Sequence, residues 1–263
     1  MISDNETTVE HFRVHGWMRV RTVFSRDEAA AMRSAAWRAL AHAGIREGDP
    51  STWTTERPEH LQDLKADPAF RAVGGARLLA AIDAALEGQG FEQPKNWGAL
   101  FLAFPSRQPW NVPSRGWHAD ANYSSTLSPP AGVRTHALLG DVAPRAGGTL
   151  IISGSHRLVR KHFTDHPPPP GARGADCRKR LLSHPYIRDL HTEGDAAERA
   201  ARFMDRAEDH EGIPLQVVEN TGRAGDVILL HPLVLHVATS NNGDAPRFLL
   251  SGAVDLPSMW AAR

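Results

Sequence analysis

The sequence predicts a mainly β protein, a sandwich or barrel of short strands with flanking helices, and three observations carry that expectation. From Trp97 onward, short apolar or alternating runs recur between Pro, Gly, Asn and Asp; before Trp97 the longer apolar patterns have helical spacing; and no internal repeat is evident. Closely spaced short strands of this kind indicate antiparallel β architecture and not a parallel α/β sheet.

Taken in order, the chain first offers a short alternating segment from Trp17 to Val23. "SRDE" then sets Ser25 three residues before Glu28, the spacing of a capping box, which predicts a helix from about Arg26 to His42. "DPAFRAVGGARLLAAIDAALEG" has apolar residues at three-to-four spacing and predicts a second helix despite Gly74 and Gly75. Strands are expected in "WGALFLAFP", "VRTHALLGDV", "GTLIISG", "IPLQVVEN", "GDVILLHP" and "RFLLSGAV". After "GSHR" the pattern is interrupted for roughly fifty residues, at about 158–211. The proline run in "DHPPPPGARG" cannot be a central strand, and "EGDAAERAARFMDRAEDHEG" reads as a polar, exposed helix. Such an insertion is either a lid over a substrate or solvated decoration.

Composition narrows the chemistry. Thirty basic and thirty acidic residues cancel, which leaves no global field for nucleic acid or an anionic membrane and points to a small-molecule partner. The polar start "MISDNETTVE" lacks an apolar core, and no apolar run is long enough to span a bilayer, so a soluble cytoplasmic protein is expected. Cys177 is the sole cysteine, which excludes an internal disulfide and a Cys-rich zinc site. Any bound metal must be held by His, Asp or Glu.

In "GWHADANYSS", His118 and Asp120 stand two apart, and on a strand both would point to one face. A facial arrangement of two histidines and one carboxylate needs another His, and "GDVILLHPLVLH" offers His231 and His236. The His-x-Asp pair, the distal His and an Arg eleven residues beyond His236, namely Arg247, occur in order with "GGTLIISGSH" and the opening "EHFRVHGWMRVRTVFSRDE". Together these motifs resemble the phytanoyl-CoA dioxygenase-like family of Fe(II)/2-oxoglutarate oxygenases, from about residue 9 to 254 apart from the insertion.

That resemblance implies a double-stranded β-helix (jelly roll, cupin-like). It implies one oxygenase domain over 1–263, with helical support in 1–95 and the β core in 96–256. It makes His118, Asp120 and His236 the Fe(II) ligands and Arg247 the anchor for the distal carboxylate of 2-oxoglutarate. A guanidinium fork suits a carboxylate better than an ammonium does. The resemblance also implies oxidative decarboxylation of 2-oxoglutarate with O2, coupled to oxidation of a small molecule, with hydroxylation the first expectation. Its halogenating relatives replace the carboxylate ligand, whereas Asp120 is retained.

Other positions carry secondary expectations. His136 replaces a Trp common in the family and is a candidate cosubstrate contact, as is His60 in "HLQDL". Ala238 stands where the family often has Ser, with Thr239 beside it. His156 in "GSHR" is read as capping a strand end, and His231 as a packed residue. Trp117, Asn122 and Tyr123 are candidate pocket walls. His191 with Glu193, and the run Arg178, Lys179 and Arg180, read as solvated. The competing classes are a metal-dependent hydrolase, which would not need oxygen, and a non-catalytic small-molecule-binding sandwich.

Overall fold

The computed structural model describes residues 7–58, 61–121, 130–169 and 174–260. Its first element, α1 (Val9–His15), is capped by the Thr8 hydroxyl, and Gly16 in the left-handed conformation (φ 79°) ends it. A side chain at Gly16 would collide with the His156 imidazole and Val234, so the turn also permits close packing. Strand β1 (Trp17–Val20) follows. Helix α2 (Arg26–His42) has the expected bounds, and both halves of its capping box are formed by Ser25 and Glu28. Such a cap contributes about 1 kcal/mol.

The second helical pattern divides. A 3-10 helix over Pro68–Gly74 precedes α3 (Ala76–Ala85), with Gly75 extended at the α3 N-cap. Gly74 lies against the Trp97 indole where a Cβ would overlap it, so packing as well as glycine's helix penalty interrupts the run.

The strands are β2 (Ala99–Ala103), β3 (Gly132–Leu138), β4 (Leu150–Ser153), β5 (Glu208–His210), β6 (Ile213–Glu219), β7 (Val227–Leu230), β8 (His236–Val237) and β9 (Arg247–Asp255). Every expected run contains one. They form a five-stranded sheet in the order β1-β7-β3-β9-β2 and a four-stranded sheet in the order β5-β6-β4-β8. All paired strands described are antiparallel. At the start of β2, Gly98 has φ 107°, and any Cβ there would overlap the Ser251 carbonyl.

Alternation sorts the faces of the larger sheet. Leu100, Leu102, Val133, Ala137, Leu229, Phe248 and Leu250 pack with Met32, Trp37, Leu40, Leu78 and Ile82 of the helices. On the other face Leu138, Ile228, Leu230 and Leu249 meet Trp17, Ile151 and Val234 between the sheets. Full burial of each Leu, Ile, Val, Met or Phe side chain among these is worth about 1.5–3 kcal/mol.

The "GDVILLHPLVLH" run is not one strand. Strand β7 stops at Leu230, a turn closed by Val234 N–H to His231 O (2.9 Å) follows, and β8 begins at His236 in the other sheet. The apolar pattern continues because both sheets and the crossing between them are buried.

The insertion is more than solvated decoration, and none of its described residues lines the cavity described below. Helix α4 (Ser155–Asp165) leads into it, and α5 (Gly174–Leu181), α6 (Pro185–Leu190) and α7 (Ala196–Phe203) lie within it. Their Phe163, Cys177, Leu181, Tyr186, Ile187, Leu190 and Phe203 cluster with Leu150, Ile152, Leu215, Val217, Leu235 and Val237 of the smaller sheet. The stretch read as an exposed helix is amphipathic. In it, Phe203 is buried, and buried Arg199 donates to the carbonyls of Val112 (3.1 Å) and Leu190 (2.8 Å). Arg178, Lys179 and Arg180 are exposed, as expected.

His156 caps no strand end. It lies in α4, and its Nε2–H donates to the Arg13 carbonyl (3.0 Å), tying the insertion to α1. Its Nδ1 has no hydrogen-bond partner among the described residues. Burial pushes this histidine down to about 4, far more than the Arg13 carbonyl raises it. An unfolded histidine titrates near 6.5, so between pH 6.5 and 4 the unfolded chain binds the extra proton. The stabilising contribution is complete above pH 6.5 and is lost as pH falls toward 4. For His156 alone this amounts to about 2 kcal/mol between pH 7 and 5. The urea midpoint should therefore fall over that interval; an unchanged midpoint would contradict a buried, neutral His156.

Candidate functional site

The strands bring separate stretches of sequence to one cavity of about 880 Å³ on the inner face of the five-stranded sheet. Residues directly opposed in an antiparallel ladder point the same way. The pairs His136↔Ser251, Phe101↔Leu249 and Ala103↔Arg247 therefore place His136, Ser251, Phe101, Leu249 and Arg247 on one face, and all five line the cavity. Strand β8, paired with β4 through Ile151↔His236, supplies His236 from the opposite sheet. Thr149 and Ala238 line the cavity as well.

His118 and Asp120 are not on a regular strand. His118 makes an isolated antiparallel bridge to His236, with N–H to O distances of 3.1 and 2.9 Å, and Asp120 N–H reaches the Pro232 carbonyl at 3.1 Å. The intended effect of a strand is nevertheless achieved. His118 Nε2 lies 3.6 Å from Asp120 Oδ1, and His236 Nε2 lies 3.5 Å from Asp120 Oδ2. One candidate ligand atom from each of the three residues lies within 4.8 Å of the others, the only such metal-competent group among the described residues.

The ring orientations suit metal binding. His118 Nδ1 contacts the Gly116 carbonyl (2.8 Å) and His236 Nδ1 the Val234 carbonyl (3.1 Å). A carbonyl can only accept, so both Nδ1 atoms carry the hydrogen and both Nε2 atoms face the carboxylate, the atoms that a metal would take from the neutral rings. Burial lowers the His236 pKa, only partly opposed by the Asp120 charge, which favours the neutral, ligating imidazole. Two neutral imidazoles and one carboxylate, all compact and pre-oriented, form a donor set that fits a divalent non-haem iron.

Arg247 stands beside this group as a buried cation. Its Nη1 donates to the Phe101 carbonyl (3.2 Å), Nε has no hydrogen-bond partner, and no carboxylate pairs with it among the described residues. Burial, then the Arg57 charge, pushes Arg247 down to about 10, so it remains positive at neutral pH. His136 is also buried, with Nδ1 unpartnered among the described residues. Desolvation first, then the charges of His236, Arg247 and His118, pushes it to about 3, leaving it neutral. An unpaired buried cation and an unpaired ring nitrogen in one cavity are costly unless a ligand satisfies them.

Other expectations sort clearly. His231 is buried beside His156 (ring centroids 5.0 Å apart) and outside the cavity lining. Trp117 is buried in the cluster behind the smaller sheet and is not a pocket wall. Thr239 hydroxyl donates to the Gly148 carbonyl (2.8 Å). His191 Nδ1 contacts the Ile187 carbonyl, while exposed Glu193 pairs with Arg115, so they form no second metal pair. His60, Asn122 and Tyr123 lie outside the described residues.

Leu61, Gln62 and Asp63, in the "HLQDL" stretch singled out for His60, line the cavity, whereas sequence reasoning missed Thr149, Ser251 and the segment at Arg57 and Pro58, which line it too. That segment is held by Phe104 N–H to Glu56 O (2.8 Å) and by Arg57 to Thr239 O (3.2 Å). Ser251 could have been found from alternation, four residues after Arg247 on the same strand. Arg57 and Pro58 have no comparable periodic signal.

The family model described as phytanoyl-CoA dioxygenase matches residues 12–249. No curated protein matches the chain. Among solved structures, HygX from Streptomyces hygroscopicus, with nickel and 2-oxoglutarate bound, is 18% identical, covers 98% of this chain and 88% of its own, and has TM-score 0.55. The epimerase SnoN, in complex with Fe3+, alpha ketoglutarate and nogalamycin RO, is 19% identical, with coverages of 94% and 82% and TM-score 0.55. AviO1 from Streptomyces viridochromogenes is 18% identical, with coverages of 97% and 96% and TM-score 0.54. At these identities the likeness is one of fold. No described helix is long and apolar enough to cross a membrane.

Proposed function

The chain belongs to the phytanoyl-CoA dioxygenase family and is a non-haem iron, 2-oxoglutarate-dependent oxygenase, and we propose that it oxidises a small organic molecule, in the simplest case by hydroxylation. In this reading His118, Asp120 and His236 hold Fe(II), and Arg247 receives the distal carboxylate of 2-oxoglutarate. The carrying observation is the convergence, in one cavity, of the two-His, one-carboxylate group with an unpaired buried arginine. We read the facing sheets as a double-stranded β-helix within one oxygenase domain, with its core in 96–256.

When bound, the iron supplies the coupling of O2 reduction and 2-oxo acid decarboxylation to substrate oxidation. The chain's own contribution is placement. Arg247 offers charge-assisted donors to the distal carboxylate, and His136 offers a neutral ring for a hydrogen bond, the neutral form being secured by its burial. The apolar walls Leu61, Leu102 and Leu249 limit water. A cavity of about 880 Å³ exceeds the needs of a five-carbon diacid and leaves room for a substrate.

The reaction outcome depends on which substrate atom is presented. SnoN is described as an epimerase and SnoK as a carbocyclase, so those outcomes belong to proteins of this fold. Retained Asp120 favours oxygen transfer over halide transfer.

Anaerobic addition of Fe(II) and then 2-oxoglutarate should produce the weak visible charge-transfer band of a chelated 2-oxo acid, followed in air by succinate release. Folded, metal-loaded protein without the band would overturn the site assignment. Turnover without oxygen would instead restore the hydrolase reading.

A further inference from the structure

We propose that Arg134, braced by Asp255, positions Asp120 for metal binding; this rests on Asp120 being a metal ligand. Arg134 lies on β3 two residues before His136 and therefore points to the same inner face. Its side chain is 7% exposed, and its three nitrogens are divided between two aspartates. Nη2 donates to the Asp120 main-chain carbonyl at 2.5 Å, Nε lies 3.9 Å from Asp120 Oδ2, and Nη1 bonds the Asp255 carboxylate at the end of β9.

Asp120 needs such an anchor. It follows an isolated bridge, and its N–H bond to Pro232 is its one backbone hydrogen bond to another segment from the amide side. The carboxylate must nevertheless face two histidines on β8 and on the loop of His118. A guanidinium is a rigid planar fork, so fixing it on Asp255 fixes where Asp120 is held. Asp255 has an electrostatic part too. Two carboxylates share one cation, so Arg134 orients Asp120 without cancelling its negative charge at the metal position. Arg134 is a positioning residue and not a catalytic one.

The test uses Co(II) binding to the full-length apoprotein, followed by visible absorption, together with apoprotein melting. Asp120→Ala reports on the ligand assignment itself. Arg134→Gln should weaken Co(II) binding about 10- to 100-fold and shift the visible bands, the effect typical of lost support behind a ligand. Arg134→Lys should fall between it and wild type, because charge returns without the fork. Asp255→Asn should weaken binding too, since the freed guanidinium then competes with the metal for Asp120. If Arg134→Gln does not fold, the Lys and Asn variants carry the test. Lowered melting with wild-type Co(II) affinity and spectrum in these variants would overturn the proposal, leaving Arg134 a structural brace. Should Asp120→Ala also bind Co(II) normally, the ligand assignment fails instead.

Discussion

Asp120→Ala is expected to weaken Fe(II) binding by more than about 100-fold, beyond the range seen for residues supporting a ligand, and to remove succinate formation at ordinary iron concentrations. His118 and His236 are neutral donors, and Asp120 is the only carboxylate in their group. Its loss therefore removes a bond and also the negative charge that favours a dication. It further leaves Arg134, whose Nε lies 3.9 Å from Asp120 Oδ2, as a cation facing the vacated position. Metal titration of the purified apoprotein reads the effect directly, and circular dichroism checks that the fold survives. Wild-type iron affinity in a folded Asp120→Ala protein would remove the carboxylate from the site.

Arg247→Ala should raise the 2-oxoglutarate KM on the order of 10² to 10³-fold while leaving iron affinity within a few-fold. Truncating one partner of a buried charge pair costs about 2–5 kcal/mol, and each 1.4 kcal/mol is a factor of ten. Arg247 is buried, has no protein carboxylate among the described residues, and bonds only the Phe101 carbonyl through Nη1. Little in the protein offsets its desolvation, so the cosubstrate should. Arg247→Lys should recover part of the affinity, since the ammonium keeps the charge and loses the fork. With burial holding the Arg247 pKa at about 10, the anchor stays cationic below that value, and cosubstrate affinity should persist from pH 7 to 9. An unchanged KM in Arg247→Ala would place the distal carboxylate elsewhere.

Much of this was legible in local sequence. Ser25 and Glu28 located α2 because a capping box is a contact between near neighbours. The runs that became β2, β3, β4, β6, β7 and β9 announced themselves by short apolar stretches between turn residues. His118, Asp120, His236 and Arg247 were singled out by their motifs and the family resemblance those carry, and the fold draws all four to one cavity. What escaped was tertiary in origin. The crossing from Leu230 to His236 is apolar throughout because it is buried while changing sheets, so no polar break marks it. Buried Arg199 in α7 looks solvated by composition, yet it reaches the carbonyls of Val112, Leu190 and Thr192. Arg134 lacks any motif; only its register opposite Ala253 and its approach to Asp255 reveal it.

The insertion and the cavity occupy opposite sides of the smaller sheet. Apolar residues of α4 to α7 cover its outer face, whereas the cavity draws on Arg57, Pro58, Leu61, Gln62 and Asp63, on Phe101 of the edge strand β2, and on the inner face. On the proposed reading, support of the sheet and choice of substrate therefore fall to different stretches of chain. On that reading, exchanges at Arg57, Pro58, Leu61, Gln62, Asp63 and the half-exposed Phe101 would reshape the cavity without disturbing the helices that support the sheet. Descendants of such a protein can diversify in what they oxidise while inheriting one scaffold.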